Sequence, residues 1–445
     1  MRCSRVYLVV ALSLCIPTGL LGAVEARTFD PVQAKRWFDE AHQRCAADHG
    51  ALWGKSLCGP MMFVEPSTRR LIANQADAQG LLKPEQGVFT GRLPDNVPFA
   101  NSSVTWAGVH WVQLNWPVPD DAGQRRAMMA HESFHRVQDE LGLAPAREGG
   151  NAQLDTLQGR YWMQLEWRAL SAALAATDDK TRRQHAEDAL LFRAVRYQHF
   201  AGAAQSERAL ERNEGLAEYT GIAVGATSPA ERLALTQDDL VSHVSLPSFV
   251  RSFAYSTGPG YGLLLDRYVP DWRKQIRAHE VGLSELLAGA LGFKAGEATD
   301  AQAEQRAVAY DGAALLATEQ VREQHRQQQV AQYKATLVDG ALLVLPLQKP
   351  QVMFNPSTLV PLGDAGTVYP TMRVLSDWGS IEVREGALLS SDWKRLTVAA
   401  PGKGAAKQGT IEAAGWTLHL AEGWQLEQGT RPGDMTLRNT NQGAH

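Results

Sequence analysis

The chain has 445 residues, and 44 Lys+Arg against 48 Asp+Glu give it a formal charge of −4. Apolar residues at 44% and charged residues at 21% are ordinary for a globular protein and exclude a largely disordered chain. The weakly acidic balance argues against nucleic-acid binding, which needs a concentrated basic surface, and the length suffices for two or three domains with real cores.

Arg2 and Arg5 precede an apolar stretch from Val6 to Leu21 that Ser13, Pro17 and Gly19 interrupt. Val24-Glu25-Ala26 then places small residues at the −3 and −1 positions before Arg27. This predicts a cleavable signal peptide over residues 1–26 and export, to a periplasm or outside the cell. The stretch is too short and too broken for an anchor, and no later stretch is apolar and long enough to span a bilayer. Leu14 ahead of Cys15 excludes a lipoprotein signal. Cleavage removes two arginines and one glutamate, moving the net charge to −5. It also removes Cys3 and Cys15, leaving Cys45 and Cys58 as a lone pair in an oxidising compartment. A disulfide is expected, closing a loop of 12 intervening residues. Such a closure contributes about 3 kcal/mol on the chain-entropy view.

Along the mature chain, Trp37, Phe38, Ala41, Cys45 and Ala46 recur at helical spacing, predicting a helix from Pro31 to about His49. From Met61 to Trp116, short apolar runs alternate with Pro, Gly and Asp-Asn clusters and predict strands, the last ending at Pro117. Asp120-Asp121 precedes a helical pattern from about Gly123 to Leu141, stopped by Gly142 and Pro145. Residues 151–205 read as a helical hairpin, with Asp178-Asp179 opening its second helix. A further helix is expected from Ser206 to Val224, and a long solvated one over 297–335. After Asp339-Gly340 the texture returns to short strands. The expected fold class is α+β: a sheet-containing part over 27–122, a helical part over 123–337 with the hairpin as an insert, and a separate all-β domain over 338–445.

Chemistry concentrates at His131-Glu132-Ser133-Phe134-His135, an H-E-x-x-H stretch whose buried face is Ala127, Ala130, Phe134, Val137 and Leu141. Residues four apart lie on one side of a helix. Both imidazoles can thus bind one Zn²⁺ while Glu132 reaches a metal-bound water. The next strong helix carries Asn213-Glu214-Gly215-Leu216-Ala217-Glu218. A carboxylate from it completes a His₂Glu ligand set with one open position, and a second carboxylate one turn away can accept from a ligand histidine's other ring nitrogen. Glu211, three residues before Glu214, reaches toward the same side.

The two stretches together resemble the gluzincin metallopeptidases, the group of thermolysin and the aminopeptidase-N-like enzymes, with H-E-x-x-H on one helix and N-E-x-x-x-[DE] or N-E-G-x-A on the next. The resemblance implies a gluzincin-like catalytic unit, a small sheet plus a helical bundle. In it His131, His135 and Glu214 would bind zinc, Glu132 would be the general base, and Asn213 and Glu218 would support the ligands. It also implies that an edge strand, about Trp111 to Trp116, runs beside the cleft. Phe253-Ala254-Tyr255-Ser256-Thr257-Gly258 resembles the Tyr-x-x-Gly stretch of the aminopeptidase-N-like branch, whose tyrosine stabilises the tetrahedral oxyanion. That role falls on Tyr255, with Tyr261 as a nearby competitor.

Two departures stand out. Seventy-eight residues separate His135 from Glu214, where familiar gluzincins use a few tens at most. There is also no G-x-M-E-N stretch of the kind that holds a free amino terminus. The expected activity is zinc-dependent hydrolysis of a peptide or protein substrate. The alternatives are a zinc amidohydrolase acting on a cell-wall type amide, and an inactive gluzincin-like scaffold, which has no need of an intact Glu132. Arg193, Arg196 and Arg251 are candidates for lining a cleft or for solvated helix faces.

Overall fold

The computed structural model describes residues 29–94, 96–145, 150–355, 358–402, 406–407 and 409–440. The expected signal peptide, residues 1–26, lies outside them. The fold is α+β, about half helical, with a C-terminal β region. No described helix is long and apolar enough to cross a membrane. The chain divides into two compact units between Glu319 and Gln320.

The first unit opens with helix α1, Pro31–Asp48. Asp30 caps it through the Val32 amide at 3.0 Å, and Pro31 occupies the position where a missing N–H does no harm. Six strands follow: β1 (Met61–Val64), β2 (Arg70–Ala73), β3 (Lys83–Glu85), β4 (Val88–Arg92), β5 (Ser102–Trp106) and β6 (Val109–Asn115). They form one sheet in the order β3-β4-β2-β1-β6-β5. The β1–β6 pair is parallel, Met61 opposite Val112, and the other pairs are antiparallel. Trp37 and Phe38 of α1 pack on Phe63 and Trp116, with the Phe38 and Phe63 rings stacked at 4.6 Å. Trp111, Val112, Gln113 and Leu114 are all buried, as befits an interior strand. The expected edge at Trp111–Trp116 is thus corrected: β6 lies between β1 and β5, and β5 is the edge on that side. β3 carries no apolar alternation and is fully exposed, which is why no sequence pattern announces it.

Helix α2, Ala122–Val137, starts at Asp121, whose side chain accepts from the Gln124 amide at 2.8 Å. Helices α3 (Leu157–Ala175) and α4 (Asp179–His199) pair as a hairpin, α4 being capped by Asp178. Then come α5 (Ala203–Leu210), a π-turn at Glu211–Gly215 and α6 (Leu216–Gly225), continuous along the chain. The remaining helices are α7 (Pro229–Ser242), α8 (Phe253–Tyr268), α9 (Trp272–Ala278), α10 (Leu283–Leu291), α11 (Asp300–Ala307) and α12 (Gly312–Lys334). The single helix expected over 297–335 is interrupted: Asp311, in the left-handed region at φ 54°, separates α11 and its trailing turn from α12. The cysteine pair forms the expected disulfide, Cys45 to Cys58, with Cα atoms 5.3 Å apart.

The second unit begins within α12 and continues through thirteen described strands, β7 (Leu342–Pro346) to β19 (Met435–Asn439). They form a seven-stranded and a six-stranded sheet. Trp378, Trp416, Leu343, Leu396, Val374 and Ile381 are fully buried in one common cluster. In the seven-stranded sheet, the last strand pairs in parallel with the first, Met435 opposite Leu343.

Candidate metal centre

Helix α2 is nearly surrounded. Met129, Phe134 and Val137 are completely buried, and α6 lies against the helix along its length. The close approach depends on two glycines. A Cβ on Gly221 would stand 2.5 Å from the Ala127 carbonyl oxygen, and one on Gly225 would stand 2.6 Å from the Ala127 nitrogen. On the other side, α8 crosses the π-turn backbone to backbone: a Cβ on Gly258 would lie 2.2 Å from the Gly215 oxygen. These crossings bring side chains from α2, the π-turn, α6 and α8 to one point.

At that point stand His131, His135 and Glu214, a group able to hold a metal ion. The two Nε2 atoms are 3.1 Å apart, and Glu214 Oε2 is 3.6 Å from His131 Nε2 and 3.5 Å from His135 Nε2. A tetrahedral ion with bonds of about 2.05 Å spaces its ligand atoms by about 3.3 Å, so the triangle has the right size. The tautomers fit as well. His131 Nδ1 lies 2.7 Å from Glu218 Oε2, and His135 Nδ1 lies 2.8 Å from Gln138 Oε1. Both Nδ1 atoms can donate to these acceptors, which leaves the two Nε2 atoms as the ones that face each other and Glu214, where a cation would take them as ligands in their neutral form.

Glu214 is gripped from three directions. Tyr255 Oη donates to Oε2 at 2.7 Å, while Arg251 Nη2 and Asn213 Nδ2 donate to Oε1 at 3.2 and 3.3 Å. Asn213 in turn accepts from Gln138 Nε2 at 3.3 Å, so one amide side chain links the supports of His135 and Glu214. The Tyr255 ring lies parallel to that of His131, centroids 5.7 Å apart. Tyr261, the competitor, is elsewhere: it is fully buried and donates to Glu166 at 2.9 Å.

Glu132 is 6% exposed, and its Oε2 is buried with no hydrogen-bond partner. A buried carboxylate oxygen left in that state is expensive, and Glu132 lies within electrostatic reach of both histidines and of Glu214. Burial pushes the Glu132 carboxyl above its ordinary range, the two histidines opposing. Burial likewise works against a proton on His131 and His135, yet their hydrogen bonds to Glu214, and Glu218 for His131, win and raise both. Glu214 is desolvated too, but the histidines hold it well below the usual carboxylate range.

Glu211, the rival carboxylate, faces away. Arg193 clamps it with Nη1 and Nη2 at 2.9 and 2.5 Å. Arg193 and Arg196 neither line a cleft nor face solvent; both are buried in ion pairs. Arg251 is the one of the three arginines that touches the site. Gln138 and Arg251 hold His135 and Glu214 from outside the two motifs. Gln138 lies three residues after His135, one turn on, and that spacing is the only signal it offers.

Neither a family model, nor a curated protein, nor a solved structure matches this chain.

Proposed function

We propose that this chain is an exported zinc-dependent peptidase of gluzincin type. The observation that carries the reading is the donor triangle of His131, His135 and Glu214 beside a buried, unpartnered Glu132 oxygen. Two imidazoles and one carboxylate form a donor set suited to zinc with an open position. His131, His135 and Glu214 would hold the ion, which would supply a Lewis acid for the scissile carbonyl and an acidified water of pKa about 7. Glu132 takes the proton from the attacking water and passes it to the leaving amine. Glu218 and Gln138 keep the ligand nitrogens of His131 and His135 deprotonated and aimed. Tyr255 exchanges its bond to Glu214 for one to the developing oxyanion.

Cleavage profiling on a mixed peptide library tests this. The zinc-loaded protein should cleave internal or terminal peptide bonds, and Glu132→Gln should not. A zinc-loaded parent that cleaves no peptide would sink the peptidase reading and leave the scaffold or the non-peptide amidohydrolase. Turnover of amide-bearing cell-wall fragments separates those two.

A further inference from the structure

A second cluster of charged side chains lies inside the helical bundle, apart from the ligands. Glu166 of α3, Arg193 and Arg196 of α4, Glu207 of α5 and Glu211 of the π-turn are each at most 3% exposed. Arg193 Nε donates to Glu166 at 2.7 Å and Arg196 Nη1 donates to the same carboxylate at 2.6 Å. Arg196 also binds Glu207 through Nε and Nη2, at 3.2 and 2.7 Å. Arg193 Nη1 reaches Ser284 of α10 at 3.0 Å besides Glu211. Tyr261 of α8 completes the set on Glu166, with the Arg193 guanidinium 4.5 Å from its ring centre.

Buried ion pairs are poor sources of stability, because desolvation offsets most of the attraction; their best-attested use is to fix a register. Here the register in question is visible. The network holds Glu211, the first residue of the π-turn, and Glu214 is three residues later in the same turn. In an α-helix, positions three apart fall about 60° short of a full turn and point to nearly the same side. A π-turn winds less per residue and spreads them further apart around the axis. Glu211 thus points into the bundle while Glu214 points at the histidines. The same network holds Tyr261, on the helix that carries Tyr255.

We infer that the Arg193–Glu211 clamp is a positioning device for Glu214: it holds the π-turn open and so sets the third metal ligand. Arg193 and Glu211 touch neither metal nor substrate in this account. The inference rests on the metal reading of the site.

The test is zinc affinity of the mature chain, read by competition with a chromophoric chelator, with far-UV circular dichroism and melting temperature on the same samples. Glu211→Gln keeps the shape and removes the charge. Arg193→Lys keeps the charge and removes the two-pronged grip, and it carries the question if Glu211→Gln fails to fold. Both should bind zinc about 10- to 100-fold more weakly than the parent, as losses of ligand supports do. Asp188→Asn is the control. Asp188 is a buried carboxylate also on α4, paired with Arg306 and Tyr310 away from the π-turn. It should lower the melting temperature and leave zinc affinity within about threefold. If the folded Glu211 and Arg193 variants bind zinc as the parent does, or if Asp188→Asn weakens it equally, the clamp positions nothing. A parent that binds no zinc overturns the metal reading itself, and this inference with it.

Discussion

Glu132 sits between two histidines in sequence, yet the proposed function gives its carboxylate and their ring nitrogens different tasks. Glu132→Gln keeps the size and one acceptor but cannot take a proton. Hydrolysis should fall at least about 10²-fold, while zinc content and melting temperature stay near the parent's because no ligand changes. Peptide cleavage and metal analysis on one preparation check both halves; a Gln variant as active as the parent would remove Glu132 from the base role. Glu214→Gln should behave oppositely, losing zinc outright and more completely than Glu211→Gln. Equal zinc occupancy in those two variants would contradict the assignment. His131, Glu132 and His135 are legible in the sequence because one helical turn brings them together, and local spacing is what a sequence displays. Glu214 is legible only through a second short stretch, where Asn213 and Gly215 favour it over Glu211 by resemblance alone. The buried partners of Arg193 and Arg196 come from α3, α5 and the π-turn, so their role is invisible without the fold. The same holds for Arg251, whose contact with Glu214 spans 37 residues.

At the scale of elements, the site depends on helices that approach closer than side chains permit. Gly258→Ala would drive a methyl into the Gly215 backbone and force α8 off the π-turn. A loss of about 1–3 kcal/mol is expected, together with weaker zinc binding, since Tyr255 moves with α8. Gly289→Ala on α10 meets nothing within 4 Å and is exposed, so it should stabilise by up to about 1 kcal/mol. Chemical denaturation of the two variants checks the contrast; equal effects would mean that the crossing is loose. In the β unit, the Arg431 side chain and the Leu342 amide hold the Asp434 carboxyl below its ordinary range. A lowered folded-state pKa stabilises above the unfolded value and is lost as pH falls through the folded one. Acid unfolding should therefore lose one contribution in Asp434→Asn, flattening the stability curve below about pH 4; an unchanged curve would show the pairing to be without effect. Helix starts such as Asp121 and Asp178 are readable because a capping side chain acts within three residues. The π-turn is not, because the groups packed on it, Gly258 of α8 and Arg193 of α4, are distant in sequence.

For the molecule as a whole, the change of texture after Asp339-Gly340 foretells a strand-rich region. It does not foretell that the last strand returns to pair with the first, a contact across 92 residues. The Cys45–Cys58 bond follows from the cysteine count and the expected compartment, and the structure forms it. Intact mass of native protein should show no free thiol, with two alkylations only after reduction. Reduction should cost about 2–4 kcal/mol of stability; two free thiols in native material would contradict both the bond and the inference of export. The account stands most directly on the metal. Elemental analysis of the purified mature chain, with His135→Ala prepared in parallel, should find close to one zinc per chain in the parent and almost none in the variant. A parent that holds no zinc as purified and takes none up when it is supplied would contradict the account at its centre.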